Sequence, residues 1–500
     1  LHMNYRNNLN NLLTSQGNRP SCRHGISNSV KFFVATAATF LSTVQLHAQT
    51  GTAFRDYNVN GIKDSAGEPG LPGITVRLYA NATAPAKDQL IGTSVTNASG
   101  VYDFSAPLTG RGANAGEKVR VEFEIPLSAA CNTVSRLSDY SSEGGANYGT
   151  AVQFVTGAES GVDFAVNYPG EFSKNPDPEL FVPCYVNGNP LAGGNAGSTD
   201  AFVKFPFSAS GRLPAYGGTV APTKLATSAQ IGSTYGVAYS RQAKTVFTSA
   251  FLKRHVGLGP LGPGGIYRID PATATVTNFL DLHAIGINTS DTSGAYQGPT
   301  APSNVSPASG VIGTNVQRGL AADFSSPSAD AVAYDQVGKV SIGDLDISDD
   351  GRYLYLVNLY DRKIYEIDLV DPFNPQAPTN ANKSTRVRSW STPDPGTTAA
   401  QGEHRPFGLA YYRDKVYVGT VLSGQAADGT TVGTTADLSG YIHTLDRTTG
   451  AFTEVLNFPM SYRIEAGWYA WRKDFSGDWE RGVPILGDIA FYKKDRKSTR

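Results

Sequence analysis

The sequence predicts an all-β protein, and three observations carry that prediction. Fifty-four glycines and 29 prolines accompany abundant Thr, Val and Tyr, the composition of short strands joined by turns. Apolar and polar residues alternate with a period of two in run after run, and no long stretch shows the 3.6-residue period of an amphipathic helix. After residue 199 a strand-opening motif recurs, as YGVAYS at 235–240, GDLDIS at 343–348, FGLAYY at 407–412 and GDIAFY at 487–492. With 500 residues, 40% hydrophobic and 17% charged, the chain can bury sizeable cores, and two to four domains are expected. A formal net charge of −1 gives no general pull toward nucleic acid or anionic membrane.

Residues 1–48 read as a signal peptide: a basic, polar lead, an apolar run from Val30 to Val44 broken only by Lys31 and small polar residues, then LHAQT with cleavage after Ala48. That run is too short for an anchor, and nothing downstream approaches the ~20 apolar residues of a spanning helix. A secreted or cell-surface location is therefore expected, with no membrane span in the visible chain. Cys131 and Cys184 remain after the leader, and an oxidising compartment would allow them to pair.

The first domain is expected at 49–168. Its opening stretch, GTAFRDYNVNGIKDSAGEPGLPG at 51–73, concentrates oxygen-bearing side chains and turn glycines. Asp56, Asn58 and Asn60 alternate with residues that need not bind, Gly61 permits a sharp turn, Ile62 offers its carbonyl, and Asp64 and Glu68 follow. Hard cations take that oxygen set, so calcium is the expected cofactor. Glu68 stands at position 13 counting from Asp56, one place later than in an EF-hand, and no helical periodicity flanks the loop. The rest of the domain alternates in ITVRLY (74–79), LIGTSVT (90–96), VYDF (101–104), VRVEFEI (119–125), AVQFVT (151–156) and VDFAV (162–166). Short, evenly spaced strands of this kind make a sandwich. Tyr102 and Phe104 share one face by the period of two and are expected in its core.

FRDYNVNGIKDSAGEPGLPGITVRLY, with TNASGVYDF at 96–104, resembles the B-type domain of serine-aspartate-repeat adhesins (SdrD B-like), a calcium-binding relative of the collagen-adhesin B domain. The resemblance implies an Ig-like or prealbumin-like sandwich and a loop of the form Asp-x-Asn-x-Asn/Asp-Gly-x-x-Asp-x-Gly-Glu. That pattern falls on Asp56, Asn58, Asn60, Gly61 and Asp64, while one inserted residue displaces Gly67 and Glu68.

Residues 169–198, rich in Pro, Gly and Asn, read as a connector in which Leu180 to Tyr185 could add a strand. From 199 to 500 each motif start is followed by a second strand, KTVFTSAF, RYLYLVNL or DKVYVGTV. An apolar-Asp third strand then turns through Pro-Ala-Thr or Thr-Thr-Gly into a fourth. Four antiparallel strands per unit are the make-up of a β-propeller blade. The starts are unevenly spaced, so long excursions must leave the blades. The stretch from Thr289 to Pro327 is the largest, read as a loop or a degenerate blade. This half resembles the propeller region of secreted bacterial proteins that carry the same B domain. Leu1 and His2 precede the first methionine and the chain stops in DRKSTR, so both ends are read as cut, with closing blades and anchoring signals outside.

No Gly-x-Ser-x-Gly, His-Glu-x-x-His, paired Cys-x-x-Cys or phosphate-cradling glycine loop is present. His404, in GEHRPFG just before a motif start, stands where propellers place ligand residues; it equally suits a loop cap. Trp468, Tyr469, Trp471 and Trp479, with Phe475, either form a stacking platform for a sugar ring or protein partner or pack among themselves, and packing is favoured because large aromatics are usually core. The motif starts supply Asp344, Asp346 and Asp488 as acids but no histidine. The expectation is a non-enzymatic, adhesin-like binding protein whose propeller presents a face to a surface glycan or protein. The alternative is a metal-dependent lyase or lactonase of the propeller type, which would need those acids and His404 to converge.

Overall fold

The computed structural model describes residues 49–56, 61–63, 68–80, 89–104, 117–125, 151–157, 159–166, 177–211, 218, 220–294, 296, 298, 310–396, 398–412, 415–462, 467–473 and 482–491. The signal-peptide segment lies outside them. Among the described residues no helix is long and apolar enough to cross a membrane.

The chain is all-β, and its first part is a two-layer sandwich. It is built from β1 (Thr50–Arg55), β2 (Thr75–Ala80), β3 (Gln89–Val95), β4 (Val101–Asp103), β5 (Lys118–Glu124), β6 (Val152–Thr156) and β7 (Phe164–Val166). One sheet runs β3-β2-β5-β6 and the other β4-β1-β7, with β1 and β7 parallel. Period-two alternation sends Val76, Leu78 and Ala80 of β2 and Val119, Val121 and Phe123 of β5 into the core, where they meet Ala53, Tyr102 and Phe164 of the facing sheet. Tyr102 and Phe104 lie there edge to face at 5.6 Å. The Tyr102 hydroxyl donates to the Val162 carbonyl at 2.8 Å, which satisfies its one polar atom inside the core.

The second part is a β-propeller. Three four-stranded antiparallel blades follow one another. A three-stranded sheet precedes them: β8 (Glu179–Pro183), β9 (Asp200–Pro206) and β10 (Thr223–Thr227). The first full blade holds β11 (Thr234–Ser240), β12 (Thr245–Ala250), β13 (Gly265–Asp270) and β14 (Thr275–Asp281). The next holds β15 (Ile342–Ile347), β16 (Tyr353–Asn358), β17 (Lys363–Asp368) and β18 (Val387–Ser391), and the third β19 (His404–Tyr412), β20 (Lys415–Leu422), β21 (Ser439–Leu445) and β22 (Phe452–Pro459). One expectation is corrected. β8 lies inside the expected connector and pairs along its length with β9, so blade structure begins at Glu179 and not at 199. Of the two readings of Thr289–Pro327, its described residues fit the loop: those of the 282–341 excursion hold no named strand and one short α-helix, Ala331–Gln336, and Arg318 and Asp330, both fully buried and 2.7 Å apart, staple it.

The apolar-Asp ending of the third strands has a local cause. Asp270 Oδ1 accepts the amides of Ala272 and Thr273, and Asp446 Oδ1 those of Thr448 and Thr449, so each Asp closes the turn into the fourth strand. Blades adhere through apolar cores on both faces: Phe247, Ile266, Leu345, Leu356 and Ile367 between the first two full blades, and Tyr355, Val357, Leu409, Val418 and Leu445 between the last two.

The recurrent starts form the first strand of each full blade, and the ladder register aligns them. Each carries an irregularity at its second motif residue, after which Tyr239 pairs with Val246, Ile347 with Leu354 and Tyr411 with Val416. Those three residues therefore occupy equivalent rungs. Phe491 lies outside a named strand, with its ring stacked on Tyr412 at 4.4 Å. The register also lines up the dipeptides Tyr235-Gly236, Gly343-Asp344 and Phe407-Gly408, so aromatic-glycine alternates with glycine-aspartate, and Gly487-Asp488 of the fourth motif start lies against Gly408. The reason is room. A Cβ on Gly487 would lie 2.4 Å from the Tyr235 hydroxyl, and one on Gly408 would lie 2.6 Å from the Leu486 carbonyl oxygen. Tyr235 and Phe407 meet across the space the glycines leave, 5.0 Å apart and edge to face.

Candidate functional site

Three places hold the side chains that sequence chemistry singles out. The first is the loop at the head of the sandwich. Arg55 N donates to the Pro69 carbonyl and Phe54 bridges Gly70, which sets Asp56 and Glu68 side by side at the loop's neck. Both are 1% exposed. Gly61 has φ +77°, and its amide donates to Asp56 Oδ2 at 2.8 Å, so the sharp turn folds back onto the first carboxylate. Ile62 is exposed. Asn58, Asn60 and Asp64 lie outside the described residues. Two buried carboxyl groups beside a turn of this kind form a donor set that suits a hard cation. Among the described residues no group of three or more His, Cys, Asp or Glu side chains is placed to hold a metal ion.

The second place is the propeller channel. Asp344 follows the β15 irregularity; its Oδ2 accepts the Leu409 amide of the next blade at 3.1 Å, and its Oδ1 the Leu345 amide. Asp346, two residues on, repeats the arrangement with Tyr411 N at 2.7 Å and Ile347 N at 2.8 Å. These carboxyls stitch β15 to β19, which share no ladder. Burial pushes Asp344 up to about 8, with the charges of Asp488 and Asp346 adding to the rise. Burial likewise lifts Asp346 to about 6, against its backbone hydrogen bonds and Arg241. Asp344 and Asp488 also raise the Tyr235 hydroxyl, behind burial as the larger cause. Asp344, Asp346 and Asp488 thus lie close enough for their charges to act on one another, whereas His404 does not join them. It starts β19, 3.8 Å from Asp394, among Arg362, Glu403 and Arg405. Burial first, then the Arg362 charge, lowers its pKa.

Beyond Asp346 the channel opens into a hollow of about 340 Å³ lined by Tyr239, Arg241, Asp346, Ser348 and Tyr411. Tyr239 is 41% exposed and backed by Phe181 of β8, parallel at 6.1 Å. Tyr411 is backed by Tyr355, parallel at 5.4 Å. Arg241 is held by the Asp349 carbonyl at 3.0 Å and lies 3.5 Å from its carboxylate. Sequence reasoning placed Tyr239 and Tyr411 only as strand residues, because their convergence depends on blade-to-blade register.

The third place is the aromatic cluster, where Trp471 takes the packing alternative rather than the platform. That ring is 5% exposed and packs with Val421, Leu438, Met460 and Ala470. Its Nε1 donates to the Pro484 carbonyl at 3.0 Å, and the Arg405 guanidinium lies 5.9 Å from the ring. Trp468 is half-buried against the same cluster and meets Tyr462 edge to face at 5.6 Å. Tyr469 is half-buried, with its amide on the Gly482 carbonyl; Trp479 and Phe475 lie outside the described residues. Cys184 is a free, half-buried cysteine, and Cys131 lies outside the described residues.

Residues 50–165 match the model of the SdrD B-like domain. Over a longer span the chain is similar to Colossin-B of Dictyostelium discoideum, 23% identical over 416 residues that make up 83% of this chain and 9% of that protein. Colossin-A of the same organism is 26% identical over 437 residues, 83% of this chain and 3% of that one, and Colossin-C 25% over 419 residues, 82% and 35%. The chain thus spans a minor part of each of these relatives. Among solved structures it is similar to the periplasmic gluconolactonase of Pseudomonas aeruginosa, with 12% identity, coverage of 77% of this chain and 84% of that one, and a TM-score of 0.26. For a streptogramin B lyase the values are 10%, 46%, 57% and 0.18. Likeness at this level says nothing of chemistry.

Proposed function

We propose that this is an exported, adhesin-like binding protein: a calcium-stiffened sandwich serves as spacer, and the propeller presents a face that holds a surface partner without converting it. The match of residues 50–165 to the SdrD B-like domain carries the reading. The placement of Asp56 and Glu68 at the loop neck, both buried, supports it, since carboxylate oxygens are the ligands a hard cation takes. Asp56, Asn58, Asn60, the Ile62 carbonyl, Asp64 and Glu68 would hold calcium in the affinity range of extracellular modules, Kd about 10⁻⁴ to 10⁻³ M. Bound there, the ion ties β1 to the segment entering β2.

On the propeller, the channel mouth offers rigid rings and fixed polar groups at an open surface. Asp344 and Asp346 each have both oxygens engaged by backbone amides, an arrangement that suits stitching more than turnover. A lyase or lactonase reading would gain ground only if a captured molecule were released altered. The deciding experiment exposes the chain to intact cells with calcium and with chelator, and analyses what is retained. Retention of a chemically unchanged surface molecule supports the proposal; failure to retain any surface molecule overturns it.

A further inference from the structure

We infer that the channel mouth is a sugar-binding site, with Tyr239 and Tyr411 stacking on a neutral pyranose and Asp346 accepting its hydroxyls. This rests on reading the propeller as the binding half.

The rings come first. Each mouth tyrosine has a second aromatic parallel behind it, Phe181 for Tyr239 and Tyr355 for Tyr411. Rings held from behind present their other face with little rotamer freedom left to lose. The C–H face of a pyranose is the apolar partner such a ring stacks on. The acceptor comes next. Backbone amides of Ile347 and Tyr411 hold the Asp346 carboxyl, one on each oxygen. Each oxygen keeps accepting capacity, so two neighbouring hydroxyls meet a carboxyl already fixed in orientation, which lowers the ordering cost of binding. Arg241, anchored by Asp349, adds guanidinium donors at the same mouth.

Charge and size choose the class. Arg241 beside Asp346 disfavours a lysine or arginine side chain as occupant. Asp346 and Asp349 disfavour a carboxylated or sulfated sugar. A neutral sugar, whose hydroxyls both donate and accept, suits both signs. The hollow of about 340 Å³ falls at the lower end of ligand pockets, roughly 300 to 1000 Å³. A protein partner would need on the order of 1000 Å² of buried surface, and this mouth is one ring wide.

The test is a glycan array and calorimetric titration of the full chain with methyl glycosides of glucose, galactose, mannose and N-acetylglucosamine, beside sialylated glycans and an oligolysine peptide. Binding of at least one neutral sugar is expected. Tyr239→Ala and Asp346→Asn should each weaken it by about tenfold or more. Phe154→Ala, at an exposed ring of the sandwich (75% exposed), should leave it unchanged. Tyr239→Phe, which keeps the ring and its stack on Phe181, should retain most of the binding and guards against a folding defect in the alanine variant. Exclusive binding of acidic glycans or the peptide overturns the inference, as does neutral-sugar binding that neither mouth variant weakens. Cell capture that persists while no neutral sugar binds refutes the sugar assignment and leaves the adhesive reading standing. Absence of both refutes the two together.

Discussion

Asp344 makes the protein's stability depend on pH in a direction opposite to ordinary surface acids. Its carboxyl is 6% exposed and is pushed by burial from 3.8 up to about 8, with Asp488 and Asp346 adding to the rise. Tyr235, whose hydroxyl faces it, stays protonated throughout. A native pKa above the unfolded one means the folded chain holds a proton that the unfolded chain has released. Stability therefore falls as pH rises between about 4 and about 8. Within that window one group changes stability by at most about 1.4 kcal/mol per pH unit. From pH 5.5 to 7.5 the single-site figure is about 2.5 kcal/mol, and sharing of protons with Asp346 and Asp488 spreads it over a wider range. Asp344→Asn keeps the shape and an oxygen for the Leu409 amide but cannot ionise, so its melting temperature should depend less on pH, by several degrees across those two units. Buried histidines such as His283 and His404, with lowered pKa values, push the other way, and comparing wild type with the variant cancels them. Tryptophan fluorescence isolates the right half, because Trp390, Trp468, Trp471 and Trp479 all lie in it. A wild type and variant whose melting curves shift in parallel with pH would refute the argument.

Calcium at about tenfold above its Kd should add ~1.4 kcal/mol to the sandwich, read as slower amide exchange in β1 and β2; Asp56→Ala should abolish that response, and equal exchange with calcium and chelator would remove the cation from the account. Trp471→Ala should destabilise the propeller by ~3 to 5 kcal/mol, whereas a small loss would mean the ring is not core. Gly408→Ala places a methyl 2.6 Å from the Leu486 carbonyl oxygen and 2.8 Å from Asp488 N, so the tryptophan-reported melt should drop; an unchanged melt would show that the 482–491 segment does not lie against β19.

Legibility in the sequence followed burial. The sandwich strands stand within a residue or two of the alternating runs, because strands such as β2 and β5 have one face in the core and one outside, and the turn glycine Gly61 reads directly from its place between Asn60 and Ile62. β8 was legible only as a strand that the connector could add, and its pairing with β9 was not, because Glu179–Pro183 is exposed or half-exposed along its length and sits among prolines and glycines. The outer strands β18 and β22 give a similarly faint signal, with exposed residues on both faces. The alternation of aromatic-glycine with glycine-aspartate was visible in the four motif starts, yet its meaning is a matter of neighbours: a side chain on one blade fills the space left by glycine on another. The same holds for the mouth, where Phe181, Tyr239, Asp346 and Tyr411 come from four strands. Trp471 read as ambiguous because an aromatic cluster carries no mark of which side faces water, and its cover, Arg405 and Pro484, is remote or irregular in sequence.

The account stands most directly on whether the chain holds a surface molecule and leaves it unchanged. Immobilised full-length chain, washed with a panel of intact microbial cells in millimolar calcium, should retain cells or their shed surface glycans, and mass spectrometry of the eluted material should find it intact. A chain that retains nothing, or one that releases its captured molecule cleaved or eliminated, would contradict the account.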